Sequence, residues 1–191
     1  MAGGAAGHVP GMTATTTSPP PTGSSSAAGA IAPRSRATSA VALALWIGLC
    51  QLAGLVGVPF TGSEPGGWYD QLDKAVFHPP QSVFGPVWIA LYTVIGVAAW
   101  MVWRHRPSPA RTTALVAFAV QLVLNAMWTP IFFGLERPTL ALIEIVVMLA
   151  AVAFTIRAFA AVDRWAALLL VPYAGWIAFA TLLNASIVAL N

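Results

Sequence analysis

The sequence predicts an all-α integral membrane protein, with five transmembrane helices preceded by a disordered polar tail. Only 8% of the 191 residues are charged, against about 25% in ordinary soluble domains. Hydrophobic residues make up 58% of the chain, so polar side chains are too few to coat a water-soluble globule. Five nearly charge-free stretches follow one another, and each has roughly the 20 residues that a helix needs to cross a bilayer.

The N-terminal segment, residues 1–36, is built from Gly, Ala, Ser, Thr and Pro. Such a segment cannot bury enough apolar surface to offset its ordering entropy, which predicts disorder. Arg34 and Arg36 then precede the apolar run 40–60, an arrangement that signal peptides share. Since the run exceeds the usual ~7–15 residues of a signal peptide and no convincing cleavage site follows, we favour an uncleaved first helix. Residues 37–191 are expected to form one membrane domain.

Charged residues set the limits of the predicted spans. Helices are expected because backbone polar groups in lipid must be satisfied within their own segment. Glu144 is the one carboxylate inside a predicted span. The predicted helices cover about 38–60, 81–103, 112–134, 138–159 and 166–189.

Basic residues predict the orientation of the five spans. One side of the membrane receives two, Lys74 and Arg137. The other side receives seven, namely Arg34, Arg36, Arg104, Arg106, Arg111, Arg157 and Arg164. This asymmetry predicts a cytoplasmic N-terminus, an outside C-terminus and a first loop, 61–80, that faces out.

Several classes of function are excluded by the sequence. The pI is 9.6, but the basic residues form no stripe interleaved with aromatics, so no nucleic-acid partner is expected. A lone cysteine, Cys50, allows no disulfide within the chain. His8, His78 and His105 lack metal-site spacing, and no Gly-rich phosphate loop exists.

Aromatic and amide side chains recur on single helix faces. Trp88 and Tyr92 lie one turn apart in the second span. The third span carries Gln121, Asn125, Trp128 and Phe132 on one stripe, and the fifth carries Tyr173, Trp176, Ala180 and Asn184. Polar groups at bilayer depth are expected to face the bundle interior. These stripes predict either a pocket for a flat, largely apolar ligand or helix–helix packing with interhelical hydrogen bonds.

Three further features of the sequence each allow two interpretations. Glu144 is either a functional carboxyl or a neutral hydrogen-bonding group between helices. The 61–80 loop is either a lid over the pocket or a connection whose Pro79 and Pro80 begin the second span. The small residues Ala40, Ala44 and Gly48, and more weakly Ala110, Ala114 and Ala117, suit either a homodimer or ordinary packing.

Several ordered motifs are similar to the TspO/MBR family, the tryptophan-rich sensory proteins whose mitochondrial relatives are the translocator protein or peripheral-type benzodiazepine receptor. The resemblance covers about residues 40–188. Its motifs are Trp68-Tyr69, Phe77-His78-Pro79-Pro80, Phe84-Gly85-Pro86-Val87-Trp88, Gln121 to Asn125, Trp128-Thr129-Pro130, Ala141-Leu142-Ile143-Glu144, Val171-Pro172-Tyr173 and Phe179 to Asn184.

The resemblance implies a five-helix bundle that binds porphyrins, haem and synthetic ligands such as isoquinoline carboxamides under the first loop. It implies that Trp88 and Trp176 line that pocket, that Asn125 supplies an amide, and that Tyr92, Trp128 and Ala180 form walls. No cofactor is required. With the residues of the stripes and the loop, the predicted ligand-binding set is Trp68, Tyr69, Trp88, Tyr92, Gln121, Asn125, Trp128, Tyr173, Trp176 and Ala180.

Three functions follow from the resemblance, and we rank them. A tetrapyrrole-binding sensory or regulatory protein comes first, a porphyrin transporter second, and an enzyme of light-dependent porphyrin breakdown third, with Trp88 and Trp176 as its reactive groups. The family's Lys-Pro in the first loop is Lys74-Ala75 here, which predicts a looser lid. The C-terminus lacks the animal cholesterol pattern of Tyr and then a basic residue. Its absence fits a member in a bacterial plasma membrane.

Overall fold

The computed structural model describes residues 1, 3–4, 7, 36–61 and 67–191, and within these every regular element is helical. The predicted fold class is therefore confirmed. Contacts divide the chain after Pro33, and the helices of the described residues all lie in the unit that follows. The predicted tail, residues 1–36, falls almost entirely outside the described residues, so its disorder stays a prediction.

Five segments of the described chain are long and apolar enough to cross a membrane, as predicted. The described chain also has four short elements: a 3-10 turn at Val58–Phe60, the first-loop helix α2, a π-turn at Pro130–Gly134 and the six-residue helix α6. The α-helices are α1 (Arg36–Leu55), α2 (Trp68–Gln71), α3 (Gln81–Trp103), α4 (Pro109–Thr129), α5 (Pro138–Ala160), α6 (Arg164–Leu169) and α7 (Val171–Leu190).

Capping residues move two predicted helix starts toward the N-terminus. The third span begins at Pro109 rather than 112, because Ser108 Oγ accepts the Arg111 N–H at 3.2 Å and Pro109 suits the first helical position. The fifth span begins at Arg164 rather than 166, since Asp163 Oδ1 accepts the Trp165 N–H at 2.9 Å. The first α-helix ends at Leu55, and the 3-10 turn completes that span.

Prolines interrupt two of the spans. Pro172 has no N–H to continue the helical ladder, and the fifth span is accordingly divided at Leu170 into α6 and α7. Pro130 opens the π-turn after α4, in which the Leu135 N–H donates to the Pro130 carbonyl at 2.9 Å. This turn carries Phe132 and Phe133 at the end of the bundle where the first loop lies.

The bundle has an apolar core and an apolar outer surface. Helix α5 packs between α4 and α7, and α1 packs on α3. Ile95, Phe118, Met148 and Ile177 are among the fully buried core side chains. Large apolar residues such as Leu45, Val123, Ile143 and Leu182 are exposed on the outside, as expected of helices that face lipid.

The two ends of the bundle carry different loops. His105 Nε2 lies 3.1 Å from Asp163 Oδ2, which joins the α3–α4 loop to the α5–α6 turn at one end. At the other end, the Asp73 N–H donates to Asn191 Oδ1 at 3.0 Å, and Asn191 Nδ2 donates to the Asp73 carbonyl at 3.1 Å. The first loop and the end of α7 therefore lie together.

Candidate functional site

A chain of hydrogen bonds crosses the centre of the bundle. The Tyr92 hydroxyl on α3 donates to Asn125 Oδ1 on α4. Asn125 Nδ2 donates to the Tyr173 hydroxyl on α7 at 3.0 Å, and that hydroxyl donates to Gln121 Oε1 at 2.8 Å. All four side chains are buried. Four predicted site residues thus bond one another where unpaired polar groups would be costly, although Gln121 Nε2 has no partner.

Aromatic rings extend this polar chain toward the first loop. The Trp88 ring stacks on Tyr92 with a centroid distance of 5.3 Å and an interplanar angle of 26°. Trp176 meets Trp88 edge-on at 6.5 Å and 89°. Phe84 and Phe179 each lie 5.7 Å from Trp176. Helices α3 and α7 thereby share an aromatic group that packs on the Tyr92 ring.

A second aromatic group lies at the end of α4. Trp128 stacks on Phe132 at 5.0 Å and 23°. Phe132 in turn meets Trp68 at 5.8 Å and Tyr69 at 6.0 Å. The two predicted loop residues of the site therefore contact the π-turn, and they reach the Trp88 and Trp176 rings only through other side chains.

Tyr69 and His78 connect the two aromatic groups. The Tyr69 hydroxyl lies 2.7 Å from His78 Nε2, and the His78 ring lies 5.8 Å from Phe84. Burial, with a smaller contribution from the charge of Asp70, raises the pKa of Tyr69 to about 12, so the phenol keeps its proton. The first loop is thus held to α3 and to the π-turn by one aromatic, hydrogen-bonded pair.

The pKa of His78 is lowered, mainly because burial disfavours the imidazolium and also because the Lys74 charge repels it. A hydrogen bond with the Pro79 backbone acts in the opposite direction. A neutral imidazole whose Nε2 carries no proton can accept the hydrogen bond from the Tyr69 hydroxyl.

Several enclosed polar atoms among the described residues have no hydrogen-bond partner. Trp128 Nε1, Trp176 Nε1 and Gln121 Nε2 are unpaired donors. Both oxygens of Glu144 and Asn184 Oδ1 are unpaired acceptors, although Asn184 Nδ2 donates to the Pro138 carbonyl at 2.9 Å. A ligand with acceptor atoms would therefore find two indole donors at the aromatic groups.

The predicted site residues are distributed over this whole assembly. Ala180 is half-buried and packs against the core beside Trp176. The Trp88 ring lies against the rings of Tyr92 and Trp176.

Two surface grooves lie elsewhere on the described chain. One, of about 360 Å³, lies between α4 and α5, and the other, of about 660 Å³, lies around Pro138. Neither groove is lined by a predicted ligand residue.

The predicted ligand-binding set lacks four residues that belong to these aromatic groups: His78, Phe84, Phe133 and Phe179. Phe84 lies one turn before Trp88 on the same helix face, and Phe179 lies one turn after Trp176. Those spacings were available as a signal. His78 was set aside because it lacks metal-site spacing, whereas its partner is a phenol in the same loop.

The chain matches one protein family and several known proteins. The family model described as TspO/MBR family matches residues 46–190. The chain belongs to the TspO/MBR family. It is similar to the tryptophan-rich protein TspO of Chlorobaculum tepidum, with 39% identity over 153 residues that cover 78% of this chain and 95% of the relative.

Two further TspO/MBR relatives come from a bacterium and a mammal. The tryptophan-rich sensory protein of Cereibacter sphaeroides is 41% identical over 128 residues, 67% of this chain and 79% of the relative. The translocator protein of Bos taurus is 36% identical over 138 residues, 71% of this chain and 82% of the relative. Family membership and the five apolar helices together identify an integral membrane protein.

Proposed function

We propose that this TspO/MBR protein binds a tetrapyrrole, a porphyrin or haem, between α3, α4 and α7 beneath the first loop, and acts as a sensory or regulatory protein. The observation that carries the proposal is the contact of Trp176 with Trp88, whose ring stacks on Tyr92, the first member of the buried Tyr92–Asn125–Tyr173–Gln121 chain. The names of the relatives, sensory protein and translocator protein, agree with a membrane role of this kind.

The chemistry of the assembly suits a flat macrocycle. Ring stacking on tryptophan contributes roughly 0.5–1.5 kcal/mol per aromatic pair beyond the burial of apolar area. The enclosed N–H groups of Trp128 and Trp176 lack acceptors within the described residues, and carboxylate or carbonyl substituents on a macrocycle would supply them. The polar chain would form the floor of the site, since its hydroxyls and amides are largely paired.

Ligand entry requires the rings to separate. Trp88 and Trp176 are in edge-on contact, and the first loop contacts both aromatic groups through Tyr69 and His78. Binding would therefore open the loop and part the two indoles, at a cost offset by burial of the macrocycle. A ligand that binds the open form better shifts the equilibrium toward it, which is the physical requirement for sensing.

A titration of protoporphyrin into the protein in lipid nanodiscs tests this proposal. Trp88→Phe with Trp176→Phe should weaken the binding read from the porphyrin absorbance, and Trp165→Phe is the matched control because Trp165 is exposed at the other end of the bundle. Equal affinity in the double variant and the control would count decisively against the site. Binding should also compete with an isoquinoline carboxamide.

Two other activities are outcomes of the same experiment. One observation favours tryptophan-centred redox chemistry: Trp88 stacks on Tyr92, and the Tyr92 hydroxyl donates a hydrogen bond to Asn125. Illumination that converts more than one equivalent of porphyrin would favour light-dependent breakdown. Protein-dependent porphyrin flux into vesicles would favour transport. Tight binding with neither activity supports the sensory role.

We infer that the protein lies in a bacterial plasma membrane with its N-terminus in the cytoplasm. The seven basic residues on one side against two on the other support this orientation. Reporter fusions in the first loop and after Asn191 should both be active outside, and a cytoplasmic signal from either would contradict it.

A homodimer through α1 is part of the proposal. Ala40 and Ala44 are exposed, and a Cβ at Gly48 would meet nothing within 4 Å, so this face is available to a second copy. Ala114 and Ala117 on α4 are buried within the chain itself, which leaves them no role at a dimer interface. Cross-linking of a Cys introduced at Ala44, with Cys50 replaced by Ala, would test it.

A further inference from the structure

We propose that Gly54 on α1 is a positioning residue that sets the orientation of the Tyr92 ring, and thereby the shape of the ligand site. This inference rests on the proposed function for its ligand readout. A Cβ at Gly54 would lie within 2.8 Å of Tyr92 Cδ2, a separation that real Cβ atoms essentially never show. The Tyr92 ring therefore occupies the space that any other residue at position 54 would need.

The Tyr92 ring cannot move away without loss. Its face stacks on Trp88 at 5.3 Å, and its hydroxyl donates to Asn125. It is buried, with 7% of its surface exposed. A methyl group at position 54 would push the ring out of the Trp88 stack, off the Asn125 amide, or both. A side chain at position 54 would therefore disturb the contacts of Tyr92 with Trp88 and Asn125, two predicted ligand residues.

Helix α1 is also fixed in register against α3, so it cannot slide to relieve the clash. Gln51 Nε2 donates to the Ile89 carbonyl and to Thr93 Oγ1, each at 3.0 Å. Further along α3, a Cβ at Gly96 would lie 2.8 Å from Ile47 Cα, so the two backbones are in close contact there. Small residues permit such close helix packing in membranes. Gln51 and Gly96 therefore hold Gly54 opposite Tyr92.

The chain offers a matched control on the same helix. Both Gly48 and Gly54 lie inside α1, where alanine has the higher helix propensity. A Cβ at Gly48 meets nothing within 4 Å. Gly48→Ala and Gly54→Ala thus make the same chemical change within one helix, and they differ in the contact with Tyr92.

Protoporphyrin binding, measured with one copy of the protein per nanodisc so that the proposed α1 dimer face is empty, should weaken about tenfold or more in Gly54→Ala, because overpacking displaces the ring. Under the same conditions it should be unchanged in Gly48→Ala. Without ligand, the near-ultraviolet circular dichroism of the Trp88–Tyr92 stack should change in Gly54→Ala alone. This ligand-free readout separates the two proposals. If porphyrin binding fails while the dichroism changes as expected, the proposed function falls and the positioning role stands.

A double-mutant cycle identifies the route of the effect. In a Tyr92→Ala background, which removes the ring, Gly54→Ala should cause no further loss; in Tyr92→Phe, which keeps the ring, the loss should persist. Should Gly54→Ala fail to fold, adding Tyr92→Ala should restore folding. Wild-type dichroism in Gly54→Ala, an undiminished loss in the Tyr92→Ala background, or no restoration would overturn the proposal.

Discussion

The Tyr173 hydroxyl accepts a hydrogen bond from Asn125 and donates one to Gln121, at 3.0 and 2.8 Å. One fully buried phenol on α7 thus bonds two carboxamides on α4. The same Asn125 amide also accepts the Tyr92 hydroxyl from α3. A single polar chain thus connects three helices at bilayer depth. Asn125 and Tyr173, in the middle of the chain, each bond two of its side chains, whereas Tyr92 and Gln121, at its ends, each bond one.

Tyr173→Phe should destabilise the protein more than Tyr92→Phe. The first change leaves Asn125 Nδ2 and Gln121 Oε1 both unpaired, whereas the second leaves Asn125 Oδ1 alone unpaired. We expect a loss of about 1–2 kcal/mol for Tyr173→Phe and roughly half of that for Tyr92→Phe. Equilibrium unfolding in mixed micelles measures both, with Tyr69→Phe as a loop control. Equal losses in the two variants would contradict this hierarchy.

The sequence predicted which faces of the helices carry the polar chain, but not its pairing. Gln121 and Asn125 share a face because they are four residues apart, and that followed from spacing alone. The bond from Tyr92 to Asn125 depends on the relative height and rotation of α3 and α4. Those quantities are set by packing such as the Gly96–Ile47 approach, which leaves no periodic signal in the sequence.

The number of spans was predictable because charges are excluded from lipid over a fixed length. The helix starts at Ser108-Pro109 and at Asp163 were also present in the sequence as capping residues, and charge gaps alone missed them. The contacts Tyr69–His78 and Asp73–Asn191 join loop or terminal residues. No helical or strand period constrains such residues, so only the three-dimensional arrangement could identify their partners.

Acid should loosen the first loop through His78. The lowered pKa of His78 means that the closed loop binds fewer protons than the open loop. The closed form therefore keeps its full stability above the ordinary histidine pKa, and loses it as pH falls through the lowered pKa. Hydrogen exchange of residues 67–80 should accelerate between about pH 7.5 and 5, after correction for intrinsic exchange rates.

His78→Gln is the control for this pH effect, because the amide can accept the Tyr69 hydroxyl but does not titrate. Its corrected exchange should be independent of pH over the same range. The other charged groups near the pair are Lys74 and Asp70. A pH response in His78→Gln equal to that of the wild-type protein would assign the effect to a group other than His78.

Removing the Asn191 side chain should release the first loop from α7. Its carboxamide makes two reciprocal bonds with the Asp73 backbone, at 3.0 and 3.1 Å. Asn191→Ala should raise the rate of limited proteolysis within 67–78 several-fold, since both bonds are lost at an exposed site. Ser186→Ala is the control, because Ser186 Oγ bonds only the Leu183 carbonyl of its own helix. Identical cleavage rates in the two variants would show that the Asn191–Asp73 hydrogen bonds do not hold the loop.

Asp163 should contribute to stability through its charge as well as through its oxygen atoms. Burial raises its pKa, but the hydrogen bonds from His105 and from the Ala166 and Trp165 N–H groups outweigh that effect, and the net pKa is lowered. The contribution is therefore fully present above the ordinary aspartate pKa and is lost as pH falls through the lowered one. Asp163→Ala removes the cap of α6 and should cost about 1 kcal/mol. Asp163→Asn keeps a capping oxygen but loses the negative charge, so its melting temperature should lie between those of Asp163→Ala and the wild-type protein. Its stability should not fall with acid over the range in which Asp163 weakens the wild-type protein. A melting temperature for Asp163→Asn equal to that of Asp163→Ala would show that the charge of Asp163, and not its capping oxygen, makes the larger contribution to stability.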